Sequence, residues 1–186
     1  MPDRNADRAP LPGEYAVLGL LALEPRHGYE LARVLEEELA AVCPVEQSLL
    51  YAYLRNLERR DLVEWEEVRV GARPPRKIFG LTEDGWSVFR AWVHAPVERM
   101  REVRQDFLLK VYFLRTLDST AERRLIRAQI AACEQYVAAA TRDARDADGF
   151  ARLVADSKRT AGEATLTWLR AYPGGSQGRG GKARAS

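Results

Sequence analysis

The chain has 186 residues, 46% of them hydrophobic and 30% charged, with a formal net charge of +2. That length fits one compact domain, or a small domain with a helical extension, and the composition is ordinary for a globular protein. The longest apolar run, Tyr15 to Leu23, is about half of the roughly 20 residues a membrane span needs.

The first residues lack the apolar core of a secretory signal, so a cytoplasmic protein with no membrane partner is expected. Cys43 and Cys133 are far apart and form no CxxC, and His27 and His94 stand alone. Neither a disulfide framework nor a metal site is expected, and no cofactor. Two buried free thiols are the simpler reading.

Charge is unevenly distributed. Residues 14–96 hold ten basic and fourteen acidic side chains, a net of −4, whereas residues 97–172 hold fourteen and eleven, a net of +3. An argument for nucleic-acid binding must therefore rest on where individual charges lie.

Residues 1–13 read as a flexible arm with Pro2, Pro10, Pro12 and Gly13. A helix is predicted from near Glu14, with Val17, Leu18, Leu21 and Ala22 as its apolar stripe, ending at Pro25. A second begins near Gly28 with Tyr29, Leu31, Ala32, Leu35 and Leu39, and Pro44 breaks the chain again. A third, about Val45 to Arg60, turns Leu50, Leu54 and Leu57 inward. Gln47, Ser48, Tyr51 and Arg55 share its other, polar face.

The period then shifts to two. Residues 62–70 and Arg76–Leu81 read as strands joined by Gly71-Ala72-Arg73-Pro74-Pro75, a hairpin with four cations and no acid from Arg69 to Lys77. Thr82 is a suitable N-cap for a helix carrying Trp86, Phe89, Trp92 and Val93, closed by Pro96.

Everything further on reads helical. Glu102 to Leu117 repeats Val103, Phe107, Val111 and Leu114. Ser119-Thr120-Ala121-Glu122 has capping-box spacing before Ile126, Ile130, Cys133 and Val137. A last helix, about Asp148 to Tyr172, places Phe150, Val154, Ala161, Ala164 and Trp168 near a heptad. Residues 173–186 read as a disordered basic tail.

Three helices, a basic hairpin and another helix are the order of a winged helix-turn-helix domain. The predicted fold is thus mostly α with a small β-hairpin wing, over residues 14–96, and a C-terminal helical domain over 97–172. A major groove admits one helix, which needs one apolar face for its domain and one polar face for bases and phosphates. Gln47 is placed for a base edge, Ser48 and Tyr51 for phosphates, and Arg55 for phosphate or guanine. Arg73, Arg76 and Lys77 supply the wing. No nucleophile accompanies His27 and no phosphate loop is present, so an enzyme is not expected.

Several strings together resemble the PadR family of transcription regulators: Leu18-Gly19-Leu20-Leu21-Ala22, His27-Gly28-Tyr29-Glu30-Leu31, Leu50-Tyr51 with Leu54-Arg55-Asn56-Leu57-Glu58, Pro74-Pro75-Arg76-Lys77, and Leu81-Thr82-Glu83-Asp84-Gly85. Asp106-Phe107-Leu108-Leu109-Lys110 resembles the start of the family's longer C-terminal domain. Ser48-Leu49 stands where the family usually has Gly-Thr, Ala52 where it has Pro, and Asp61 where it has Gly. The resemblance implies a homodimeric repressor of nearby genes, released from a palindromic operator by a small molecule or another signal.

Dimerisation is expected through the C-terminal helices, at Ile126, Ile130, Val137, Phe150, Val154, Ala161 and Trp168. Trp86, Phe89, Trp92, Phe107, Tyr112 and Trp168 are candidates for an apolar pocket taking a hydrophobic or aromatic effector. The competing reading, motivated by the net −4, is a winged-helix protein–protein module without DNA binding.

Overall fold

The computed structural model describes residues 8–69 and 75–172. The start of the arm, the hairpin tip with Arg73 and the segment from Pro173 lie outside the described residues. The described residues form two compact units, one of residues up to Val93 with Arg104–Phe113, the other of His94–Val103 with Leu114 onward. Residues 104–113 thus group with the first unit, a division that differs from a boundary at residue 96.

In the first unit α1 spans Pro12–Leu23, with proline in the first turn, where its missing N–H costs nothing. Every residue from Ala16 to Ala22 is buried, so α1 is the central helix, not a one-striped surface helix. A two-residue strand β1 (Arg26–His27) leads into α2 (Gly28–Val34), which continues as a π turn over Leu35–Leu39. Helix α3 covers Gln47–Arg59. Strands β2 (Val63–Val68) and β3 (Arg76–Leu81) form the hairpin, and α4 runs over Glu83–His94.

The sheet is antiparallel in the order β1-β3-β2, with Arg26 opposite Phe79 and Val68 opposite Arg76. Strand β1 was not visible to periodicity, because two residues after a proline carry no pattern. Thr82 caps α4 as expected, its hydroxyl accepting the Gly85 N–H at 3.0 Å.

Leu18, Leu20, Leu31, Leu50, Leu54 and Leu57 make the helical core, each no more than 2% exposed. A second part is aromatic. Trp92 stacks on Tyr15 at 4.4 Å between centroids, and Phe89 meets Phe113 edge-on at 5.7 Å. Phe107 is fully buried. Lys110 is buried as well, lies over the Trp92 ring, and has its ammonium pulled below the usual lysine range by that burial.

The stretch expected as one helix from Glu102 is segmented, with a 3₁₀ turn over Met100–Glu102, a π turn over Val103–Phe107, and α5 over Leu108–Leu117. In the second unit α6 covers Ser119–Asp146 and α7 covers Gly149–Ala171. They are antiparallel. Arg170 pairs with Glu134 at 2.7 Å, and the Tyr172 hydroxyl donates to buried Glu122 at 2.9 Å.

The expected capping box at Ser119 is corrected. Asp118 is the cap, its Oδ1 accepting the N–H groups of Thr120 (2.8 Å) and Ala121 (3.0 Å), and the Ala121 bond leads in holding that carboxyl below its usual range. Glu122 points inward instead. Gln129, also buried, clamps the Val97 backbone, accepting its N–H at 2.6 Å and donating to its carbonyl at 2.9 Å. Both cysteines are buried and unbridged. No described helix is long and apolar enough to cross a membrane.

Candidate nucleic-acid interface

Helix α3 is amphipathic, although Leu49 is exposed. Leu50, Leu54 and Leu57 are buried, while Gln47, Ser48, Tyr51 and Arg55 are all exposed. These four sit at i, i+1, i+4 and i+8, which on a 3.6-residue helix is one continuous face. Arg55 forms no salt bridge among the described residues.

Arg76 and Lys77 project from β3, both exposed and without an ion pair among the described residues. Lys77 is held in place in another way. Its ammonium lies 3.5 Å from the centroid of Trp65, and the Trp65 indole N–H donates to Glu58 Oε1 on α3 at 2.7 Å. The His27 ring donates its Nδ1 proton to the Lys77 carbonyl at 3.0 Å, since a carbonyl only accepts. Two of these contacts, Trp65 with Glu58 and His27 with Lys77, therefore tie the wing to α3 and to the residue before α2.

Together these elements enclose a notch of about 630 Å³. Leu54 and Phe79 floor it, and Arg55, Arg76 and Lys77 stand around it with Glu58. Tyr29 and Tyr51 form its aromatic side.

Tyr29 is the residue that pattern reading missed. The apolar spacing of α2 places it on the buried stripe, yet it is 70% exposed. Gly28 has its own reason. A Cβ there would sit 2.9 Å from the Tyr51 ring, so glycine lets that tyrosine lie against the start of α2. His27 precedes α2, and its backbone N–H donates to Glu30 Oε2 at 3.0 Å.

The aromatics expected to line an effector pocket are mostly core. Phe89, Trp92 and Phe107 are between 0 and 9% exposed, their faces taken by neighbouring side chains. Tyr112 donates to Glu38 at 2.6 Å, and burial, with that bond, pushes its hydroxyl upward. Trp86 is half-buried beside Arg90, and Trp168 belongs to the second unit.

Among the expected dimer residues, Ile126 is buried within its own chain at 7% exposure. Ile130 and Val137 are half-buried, with Val137 against Gly162 of α7. Phe150 is 79% exposed, and Val154, Ala161 and Trp168 also face outward.

A helix with a free polar face, braced by a two-stranded basic wing, defines a winged-helix regulator. Residues 17–91 match the model of the transcriptional regulator PadR-like family, and residues 103–172 match that of the virulence activator alpha C-term family. Residues 17–91 are thus a domain of the PadR-like family of transcriptional regulators.

It is similar to the negative transcriptional regulator PadR of Bacillus subtilis, 27% identical over 119 residues, which are 63% of this chain and 64% of that one. The chain spans between half and two thirds of the curated relatives it matches. Solved structures similar to it include Bacillus subtilis PadR with operator DNA, at 21% identity, a TM-score of 0.44, and coverage of 84% of this chain and 94% of that one. The same protein with p-coumaric acid aligns at 21% identity and a TM-score of 0.42, over 86% of this chain and 95% of that one.

Proposed function

We propose that the chain is a sequence-specific reader of double-stranded DNA, acting in the cytoplasm as a homodimeric repressor on a palindromic operator. The observation that carries this is the exposed row Gln47, Ser48, Tyr51 and Arg55 standing beside Arg76 and Lys77, opposite a fully buried leucine face. In this reading Gln47 meets a base edge, Ser48 and Tyr51 bond phosphates, and Arg55 takes a phosphate or a guanine. Arg76 and Lys77 neutralise backbone phosphates together with Arg73, which lies outside the described residues. Repression is the role named for the Bacillus subtilis relative. Release by a small hydrophobic or aromatic effector is part of the same reading.

The homodimer is supported by α7, which carries two apolar faces. Ala155, Gly162, Leu166 and Leu169 are buried within the chain. Phe150, Leu153, Val154 and Trp168 are left outside, exposed by 38 to 79%.

A gel-shift titration against DNA from upstream of the chain's own gene, at two salt concentrations with scrambled DNA as control, tests the function. Specific binding that weakens with salt is expected, because each neutralised phosphate adds about 0.9 to the slope of log affinity against log salt. Arg55→Ala or Arg76→Ala should lower that slope by about one. A second reading, a protein–protein module, is favoured by the exposed Glu64, Glu66 and Glu67 on β2. Absence of a retarded complex with either DNA at both salt concentrations would select it.

A further inference from the structure

We propose that Leu49 is a base-reading residue, packing on the 5-methyl group of a thymine in the major groove. This rests on the DNA reading above and adds to it a specificity that the polar row does not supply.

The first turn of α3 exposes one large apolar side chain. Leu49 is 41% exposed, directly after exposed Gln47 and Ser48, whereas the next residue, Leu50, is fully buried. With Tyr29, Val45 and Gln47 it lines an open groove of about 820 Å³ between α2 and the start of α3. Tyr29 borders the notch beside the wing as well, so this apolar patch is continuous with the polar row. A duplex that reaches Gln47 and Ser48 also covers Leu49. Ala52, three residues on and on the same side of the helix, carries only a methyl group and lets a base edge come close.

Chemistry selects the contact. Leucine has no donor or acceptor, so Leu49 bonds neither a phosphate nor a polar base edge. Held against an amino group or a carbonyl, it strips that group of water and returns no hydrogen bond, which is unfavourable. The thymine 5-methyl is the apolar group that the base pairs present in the major groove. Leu49 therefore favours thymine by attraction and disfavours bases that place a polar group there by desolvation. Gln47 precedes it by two residues and lies across the helix, so the two side chains address different base pairs.

The test uses the full chain and the shortest fragment that the gel-shift titration finds specifically retained. Each thymine of that duplex is replaced in turn by deoxyuridine, which removes the methyl group and keeps the base pair. Fluorescence anisotropy gives the dissociation constants of the parent chain and of Leu49→Ala. The parent should lose about fourfold in affinity at one thymine of a half-site, the effect of one buried methyl group. Leu49→Ala should bind thymine DNA more weakly by at least as much, and should no longer distinguish thymine from deoxyuridine at that position. Replacements at other thymines should act equally on both chains. The slope of log affinity against log salt should be the same for both, because Leu49 neutralises no phosphate. Circular dichroism checks that the variant, altered at an exposed site, is folded.

A parent chain that tolerates every replacement overturns the proposal. So does a methyl dependence that survives intact in folded Leu49→Ala, since it assigns the methyl group to another side chain. In both cases specific binding of thymine DNA stands, and the DNA reading with it. Absence of that binding is the failure of the DNA reading itself, seen before any deoxyuridine is introduced, and the proposal falls with it.

Discussion

Asp61 shows how a departure from a family pattern is accommodated. It has φ of 54°, the left-handed region, directly after α3. Its N–H donates to the Glu58 carbonyl at 3.0 Å, and the Leu62 N–H reaches back to Leu57 at 3.0 Å. That pair of bonds is a Schellman ending, in which glycine is usual and a short polar residue is tolerated. It turns the chain from α3 into the wing. Asp61→Val should cost about 1 kcal/mol or more, while Asp61→Gly should leave stability within about 1 kcal/mol. Urea unfolding midpoints measure both, and a valine variant as stable as the parent would show that the turn relaxes in solution. Of the site residues, the α3 face was legible because four polar positions share one side of a helix whose other side is leucine. Tyr29 was not legible as exposed from hydrophobicity alone. Set two residues before Leu31, it lies across the helix from that buried side chain.

At the scale of elements, the strings that carried the family resemblance have local physical causes. Leu81-Thr82-Glu83-Asp84-Gly85 ends in glycine because a Cβ at residue 85 would stand 1.9 Å from the Leu62 carbonyl oxygen. The backbone between α3 and β2 touches α4 there, and no side-chain rearrangement relieves the clash. Gly85→Ala should therefore lose about 1–3 kcal/mol despite the gain in helix propensity. Gly80 on β3 has nothing within 4 Å of such an atom, so Gly80→Ala is the control, with little expected change in melting temperature. Equal melting temperatures for the two variants would contradict the close approach. Most element positions could be read from periodicity, since α3, β3 and α7 fall within two residues of their expected limits. The π turns at Leu35–Leu39 and Val103–Phe107 could not, because one extra residue in a turn leaves the apolar spacing almost unchanged.

For the whole molecule, net charge is a poor guide and the placement of side chains a better one. The first unit is acidic by composition, yet Glu14 is buried among Asn56, Arg8 and Arg60 and presents no field to a partner. The same distinction governs assembly. Sequence periodicity marked both Ile126 and Phe150 as dimer residues, but it cannot tell an apolar face used within the chain from one left over. Ile126 is enclosed, whereas Phe150 stands at the start of the outward face of α7. Burying a phenylalanine contributes about 2 kcal/mol, and a two-fold interface holds it twice. Phe150→Ser should then raise the dimer dissociation constant roughly a hundredfold or more with the monomer still folded. Ile126→Ala should instead lower folding stability by about 2–5 kcal/mol through the cavity it leaves. Sedimentation equilibrium over a range of concentrations, paired with thermal melts, separates the two effects. A Phe150→Ser chain that sediments as an unaltered dimer would move the interface off this face of α7. A monomeric one that also binds operator DNA far more weakly would tie the outward face to DNA reading, because a palindromic site needs both copies at once.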